Sequence, residues 1–596
     1  MNNQPQSNPP PSIWKKSWTG PGGRLLWFLV LTAAAFVVFF SLGMISHIEK
    51  GTGQLAVIAL VLAGALGLFG IGAVAFVRWV CCWRNFVRFL FVCACLVTLV
   101  GLAYVEENWR GKRDWEQFKR EWEAKGETFD RASVIPPAVP DDQNFALTPI
   151  VASSYAAMLD KSGHEIRPRN SNVVNRLEMN VSSDREFLDS PTNGTGDWRL
   201  AKISHLDAWQ KYYRALAAKT NEFPVSAQPQ SPAADVLLAL SRYDSTIEEL
   251  RQAARLPVSR FPLEYDKDDP AAILLPHLAE MKRCTQVLQL RALAELQSGH
   301  SDQALADVKL ILRLQNSMRT EPILISQLVR IAMITLVLQP VWEGLANRHW
   351  SDAQLAELDQ ALAPLDFMAA YKLSMRGELA LCQGGIFDFL RRHPEELHNL
   401  MGLGGTDENS LWLPNPFASR LMPKGWFYQN QLRCARPMVE FYLPAADTER
   451  RIFSPSLIRK GDDAIQAETT GRRNPYNGLE PLLLPALGNA AQRFALGQNS
   501  VDLARTAVAL ERYRMAHQSY PESLDALITQ IPHDVINGGP LHYRRTDDGQ
   551  FILYSVGWNE TDDGGEVATK AAGMNSDRTP ILDISQGDWV WRYPAR

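Results

Sequence analysis

Excess charge of either sign is missing from this sequence: 61 Lys and Arg face 65 Asp and Glu over 596 residues, a formal net charge of -4. Nucleic-acid binding would need a basic excess to displace counterions, so nucleic acid is not an expected partner. Cysteine is scarce, seven in all, and none forms a CxxC pair. Cys81, Cys82, Cys93 and Cys95 fall in or beside apolar N-terminal runs. Cys284, Cys382 and Cys434 are too widely spaced for a zinc site or a disulfide framework and are expected as buried thiols.

Reaction signatures are also lacking. No Gly-rich run ends in GKS or GKT, so nucleotide phosphates have no evident cradle. In HPEELH, His393 and His398 are five apart and turn to different helical faces, while Pro394 interrupts the helix after its first residue. SGHSD, from Ser298 to Asp302, lacks the second glycine and the strand of a nucleophile elbow. The acidic pairs Asp141–Asp142 and Asp462–Asp463 read as solvated loop residues.

Long apolar runs, by contrast, are present and concentrated. A hydrocarbon core of roughly 30 Å takes about 20 helical residues. Residues 25–45, 55–77 and 89–105 supply three such runs, the third following Arg88, whose stem can snorkel to the headgroups. The first is too long for a cleavable signal core and is expected to stay uncleaved. Lys15, Lys16 and Arg24 in the tail, and Arg78, Arg84 and Arg88 in the second loop, outnumber the lone Lys50 of the first loop. That asymmetry puts the tail, 1–24, in the cytoplasm and everything after 105 on the far side, the periplasm if the cell is bacterial.

Beyond the membrane, Trp115, Phe118 and Trp122 recur at helical spacing among mixed charges, predicting an amphipathic stalk. It ends in a linker containing Pro136, Pro137, Pro140 and Pro149; together they occupy 106–149. Residues 150–495 form a helical extracytoplasmic domain. Its clearest unit is a hairpin in which Leu290, Leu293, Ala294 and Leu296 make one apolar face, Gly299 and His300 turn the chain, and Ala304, Leu305, Val308 and Leu312 make the next. The pair resembles one tetratricopeptide-type hairpin, with no second copy at a 34-residue period. The apolar stretch around Gln327 and Arg330 reads as a core helix, and Ser351 as a helix cap. Residues 400–495, rich in Pro, Gly and Asn, read as long ordered loops.

After Ser500, taken as a second cap, the pattern becomes helix followed by hairpin: LHYRR and FILYSV flank TDDGQ, whose Asp548 and Gly549 signal a tight turn. YRMAHQSYPESLDAL, IPHDVINGGPLHYRR, FILYSVGWNETDDGG and ILDISQGDW, in that order, resemble the globular part of type II secretion major pseudopilins. The likeness covers 496–596. In that family a Y-S-x-G-x-D-G-x-x-G-G loop binds calcium, so the resemblance implies a calcium site. Tyr554, Ser555 and Gly557 match the strand end, Gly564 and Gly565 the paired glycines, and Asp583 with Ile584 the D-I pair. Asn559 replaces the family's aspartate, and Trp589 lies two residues late. The candidate ligands are Asn559, Asp562, Asp563 and Asp583, with backbone carbonyls completing six to eight oxygens. The alternative is a solvated turn built from residues that tolerate left-handed backbone. A pseudopilin has one apolar helix continuous with its globular domain, so a chain with several spans is not expected to polymerise as a pilus subunit.

The expected architecture is therefore a membrane-anchored, mainly α protein with three N-terminal spans, a large helical extracytoplasmic domain and a small C-terminal α+β module. The expected role is a non-enzymatic interaction or scaffold component of a bacterial inner membrane, with lipid and other envelope proteins as partners, beside a secretion or pilus-like system. The rival expectation is a membrane-tethered periplasmic hydrolase with its site in the 400–495 loops.

Overall fold

A computed structural model describes residues 28–30, 32–38, 41, 52–155, 158–159, 165–166, 175–182, 194, 196–399, 416–470, 476–484, 487–527, 531–574 and 580–594. Of the first expected span, 25–45, residues 28–30, 32–38 and 41 are described and helical, and the rest lies outside this set. The chain divides into two compact units, Met1–Glu106 and Glu107–Arg596.

In the first unit the helix Thr52–Val80 and the start of the helix Trp83–Glu123 are joined by a turn at Cys81 and Cys82. Phe76 packs edge-on against Phe89, ring centroids 5.3 Å apart, which is how the two helices meet. Their large apolar side chains otherwise point outward: Phe69 is 76% exposed, Phe91 69% and Val97 72%. Trp83–Glu123 runs unbroken for 41 residues, so the third apolar run and the aromatic segment after it belong to one helix.

Among the described residues, two helices are long and apolar enough to cross a membrane, Trp83–Glu123 and Leu324–Ala346. The apolar window of the second is 67% buried within the second unit, as expected of a core helix. Its polar residues are satisfied inside: the Arg330 Nε donates to the Gln315 carbonyl at 3.0 Å, and its Nη1 to Gln327 Oε1 at 2.5 Å. The guanidinium also lies over the Phe367 ring. Burial lowers its pKa to about 10.

The second unit is mainly helical, with small C-terminal sheets. Trp115 and Phe118 are buried, both edge-on to Phe129, so the aromatic face of the stalk packs into the unit. There the backbone at Gly111 lies against Gly425. A Cβ on Gly425 would fall 2.0 Å from the Glu107 carbonyl oxygen, so only glycine permits the approach. The expected hairpin is Pro276–Gln297 with Ser301–Asn316, Gly299 taking φ 78° in the turn, and every residue expected on its two apolar faces is buried.

Two expectations need correction. Residues 416–470 are mostly helix, in Pro416–Arg420, Lys424–Pro437, Met438–Tyr442 and Pro455–Thr470, rather than long loops. The prolines that suggested loops sit at helix starts or, like Pro437, inside a helix that continues as a π-helical turn. Asp462 is accordingly a helix residue receiving the Tyr442 hydroxyl, not a solvated loop acid. Ser500, read as a cap, lies in mid-helix and donates its Oγ to the Leu496 carbonyl at 2.7 Å. The helix is Leu487–His517, and the expected module boundary at 496 falls within it without a break.

This helix contacts Leu324–Ala346, Asp352–Leu362 and Phe367–Gly377, and also the C-terminal sheet. In that sheet Phe551–Ser555 is central, antiparallel to His542–Arg545 and to Trp589–Arg592, so Tyr543, Leu553 and Trp591 align across it. Val567–Met574 and Pro580–Gly587 form a separate antiparallel pair of irregular register: Val567 faces Gly587, but Thr569 faces Leu582. Trp591 is fully buried, its ring centroid 5.2 Å from that of Trp198, and the Trp342 Nε1 donates to the Arg592 carbonyl at 3.0 Å. Trp591→Ala should therefore lower the unfolding free energy of the whole second unit by about 3–5 kcal/mol. Urea denaturation followed by far-UV circular dichroism reads this directly; an unchanged midpoint would mean that the sheet does not unfold with the helices.

Candidate functional site

The expected calcium loop follows the central strand. Gly564 and Gly565 take φ 73° and 85°, the left-handed backbone their side-chain-free character allows. Asp562 accepts the Gly564 N–H at 2.9 Å and the Tyr554 hydroxyl at 3.1 Å, with His542 Nδ1 3.3 Å away. The Gly564 N–H, helped by Tyr554 and His542, holds the Asp562 carboxyl below the usual carboxylate range. Asn559 donates its Nδ2 to Asp563 Oδ2 at 2.8 Å and accepts the Thr561 N–H at 3.2 Å.

Asp583 is not brought to this loop. It lies on the strand Pro580–Gly587, where its Oδ1 accepts the Ser585 hydroxyl at 2.6 Å and the Ser585 N–H at 3.0 Å. The carboxylate that enters the loop is Asp588, 3% exposed, accepting the Gly565 N–H at 2.6 Å and the Asp563 N–H at 3.3 Å. Burial pushes its pKa up against those two donors. A second buried acid, Asp534, ties the entering strand: it accepts the Ser555 hydroxyl, the Val556 N–H and the Ile536 N–H at 2.8–3.0 Å. Sequence spacing alone missed both roles, although an aspartate directly before the aromatic strand WVWR was a signal for Asp588.

The four expected ligands thus do not converge, and each carboxylate of the loop is engaged by donors from the chain. No group of three or more His, Cys, Asp or Glu able to hold a metal occurs among the described residues. Asn559, Asp562 and Asp563 lie in a hydrogen-bonded turn that Asp583 does not join.

Two larger concavities among the described residues border Leu487–His517. One is a groove of about 1080 Å³ lined by Arg451, Arg505 and Arg512 with Val508, Leu527 and Ile531. Each arginine is matched by an acid: Arg512 to Asp352 at 2.8 Å, Arg505 to Asp359 at 2.7 Å, and Arg451 to the buried Asp502 at 3.5 Å. Its histidines are held through Nδ1, His517 by the Tyr513 carbonyl and His533 by the Gly538 carbonyl.

The other is a cavity of about 610 Å³ between the turn Gly196–Lys202, the first turns of the helix and the strand residues Pro580–Ser585. Its turn is held rigidly. The Asp197 N–H and the Lys202 carbonyl pair at 3.0 Å, and Ala201 takes φ 53°. Gln339 accepts the Trp198 N–H at 2.6 Å and donates to the Lys202 carbonyl at 3.1 Å, while Glu343 accepts the Ser204 N–H at 2.9 Å. Gln339 and Glu343 are themselves bonded at 2.8 Å, and burial raises the Glu343 pKa. A Cβ on Gly196 would fall 2.2 Å from Gln339 Nε2. The turn presents Arg199, chelated by Asp197 at 2.8 and 2.9 Å, and Lys202.

Asp588→Asn keeps the shape of the side chain but offers one acceptor to two N–H groups. It should cost about 1–3 kcal/mol in chemical denaturation, against less than about 1 kcal/mol for Asp583→Asn, whose partner is local. The contribution of Asp562 runs with its lowered pKa: it is present above the ordinary carboxylate range and is lost as pH falls through the folded value. Acid titration of the Tyr554 environment in Asp562→Asn should therefore lack a transition seen in the parent.

Comparison with protein-family models, with curated proteins and with solved structures returns no match.

Proposed function

We propose that the chain is a multi-pass bacterial inner-membrane protein that presents its large helical unit in the periplasm as an interaction or scaffold component of the envelope. The spans are 25–45, 55–77 and 89–105, with the N-terminal tail in the cytoplasm. The observation that carries this is the outward direction of large apolar side chains along Thr52–Val80 and the start of Trp83–Glu123. Phe69, Phe91 and Val97 would each forfeit about 25 cal/mol per Å² if left in water, and a lipid phase removes that cost. Arg78, Arg84 and Arg88, clustered around the connecting turn, supply the cytoplasmic charge that such an orientation requires.

The interaction role is supported by surface rather than by chemistry. Along Leu487–His517 runs a groove whose apolar floor is rimmed by ion-paired arginines, an arrangement that resembles the polar rim and apolar centre of a protein interface. The likeness of the C-terminal segment to a pseudopilin globular part suggests a partner in a secretion or pilus-like system. The rival reading, a membrane-tethered hydrolase with its site in the 400–495 segment, has no specific observation in its favour among the described residues.

Fusions of dual alkaline phosphatase and β-galactosidase reporters after Lys50, Arg84 and Lys125 test the topology. The expected pattern is periplasmic, cytoplasmic and periplasmic. A periplasmic signal at Arg84, or a cytoplasmic one at Lys125, would sink the three-span orientation. Copurification of full-length protein with envelope components tests the scaffold role.

A further inference from the structure

We propose that the segment 420–424 is a second membrane contact: Leu421 enters the interfacial layer of the bilayer beside the outer end of the third span, 89–105, with Trp109 in the same layer. This placement rests on 89–105 being a span, and extends that reading by setting part of the large helical unit on lipid. The interfacial layer reaches roughly 5–8 Å past the hydrocarbon on each side. Val105 ends the apolar run, and the helix continues unbroken to Glu123. At about 1.5 Å per residue, Glu107 and Trp109 stand about 3 and 6 Å beyond Val105, inside that layer.

The helix Lys424–Pro437 is laid along this stretch in the same direction. The Gly425 N–H donates to Asn108 Oδ1 at 2.9 Å, and the Gly425 backbone touches that of Glu107 and Gly111. Further along both helices Gln429 Nε2 donates to Asp114 Oδ2 at 2.7 Å, and beyond that Arg436 lies over the Phe118 ring. Positions 425, 429 and 436 thus meet 108, 114 and 118 in order, so the two helices run parallel. The N-terminal end of Lys424–Pro437 is therefore its membrane end, and the residues that lead into it, 420–423, lie on that side. Glycine at 425 fixes the level of approach, since a side chain there would clash with the Glu107 carbonyl.

What this end exposes suits the interface. Among the described residues of the second unit, four large hydrophobic side chains are exposed: Trp109, Leu147, Ile325 and Leu421. Single exposed apolar residues are ordinary, but here two of the four, Trp109 at 60% and Leu421 at 59%, share the membrane end. Tryptophan concentrates at membrane interfaces. Leu421 is flanked by the exposed Arg420, paired with Glu395 at 3.5 Å, and by the exposed Lys424, so its apolar body can enter the acyl boundary while the cations stay among headgroups. The turn is already formed: the Leu421 N–H donates to the Ala418 carbonyl at 3.0 Å and the Met422 N–H to the Ser419 carbonyl at 3.1 Å. Lipid contact therefore asks for little ordering. Ile325 supplies the contrast. It is 58% exposed, but it follows Pro322, whose carbonyl lies against Gly377, and the adjacent Arg376 pairs with Glu127 at 2.9 Å, past the far end of the stalk helix.

The test uses the full-length protein in nanodiscs of phosphatidylethanolamine and phosphatidylglycerol. The photo-crosslinking residue p-benzoylphenylalanine replaces Leu102, Leu421, Glu121 or Ile325, one at a time. All four side chains are exposed, so the fold should be kept. Lipid adducts formed on illumination are counted by mass spectrometry. Adducts are expected at 102, within the span, and at 421. The yield at 421 should be at least about fivefold that at Glu121, which stands 14 residues or about 21 Å past Glu107 along the helix. It should exceed the yield at the equally exposed Ile325 by a similar factor. Adducts at 102 with a yield at 421 no higher than at 121 or 325 overturn this contact and leave the span standing. Absence of adducts at 102 removes the span itself, and the contact with it.

Discussion

Along its first six turns the helix Leu487–His517 has almost no face to give to water: from Leu487 to Leu510 most positions are buried, polar ones included. A helix enclosed in this way must be covered on all sides, and a polar group it takes inside costs free energy unless it finds a partner there. Gln498 accepts the Phe367 N–H at 2.8 Å and donates to Asp502 at 3.1 Å, which in turn meets Arg451. Thr506 returns its hydroxyl to the Asp502 carbonyl. Gly497 lets Ile331 approach from the core helix Leu324–Ala346. The helical layer and the C-terminal sheet are therefore two coats on one spine, which is why the sheet is integral to the unit.

That enclosure also positions the cavity. Asn489, Gln492 and Arg493 lie on the first turns of the spine, so their placement is set by the same packing that buries Phe494 and Ala491 beside them. Opposite, the Gly196–Lys202 turn is fastened to Leu324–Ala346 by Gln339 and Glu343, while Trp198 packs on Trp591 of the sheet. One turn thus touches the core helix, the sheet and the cavity together. The turn is fixed in place by buried hydrogen bonds, and Arg199 on it by the Asp197 carboxylate.

The acidic loop shows the opposite economy. Its carboxylates serve the chain itself: Asp588 and Asp534 spend their oxygens on backbone N–H groups, and Asp562 on Gly564 and Tyr554. The backbone donors of the loop are thus met within the chain. Asn559 fits the same pattern, since as an amide it can donate to Asp563, which an aspartate in that position could not.

What the sequence by itself determined was local and periodic. The apolar runs near the N-terminus, the hairpin turning at Gly299, the core character of the helix around Arg330 and the Asp548–Gly549 turn were legible because each depends on neighbours within a few residues. Tertiary structure decided the rest. Ser500 has the chemistry of a cap, but lies in a helix whose start is fixed by what buries Leu487 and Ala490. Asp583 and Asp588 differ only in which strand register turns a carboxylate toward Gly565, and the irregular pairing of Val567–Met574 with Pro580–Gly587 settles that in favour of Asp588. The cavity joins Lys202, Gln492 and Lys570 across hundreds of residues, and no spacing rule connects them. Periodicity reports how one element faces its surroundings; which elements those surroundings are is set by long-range packing.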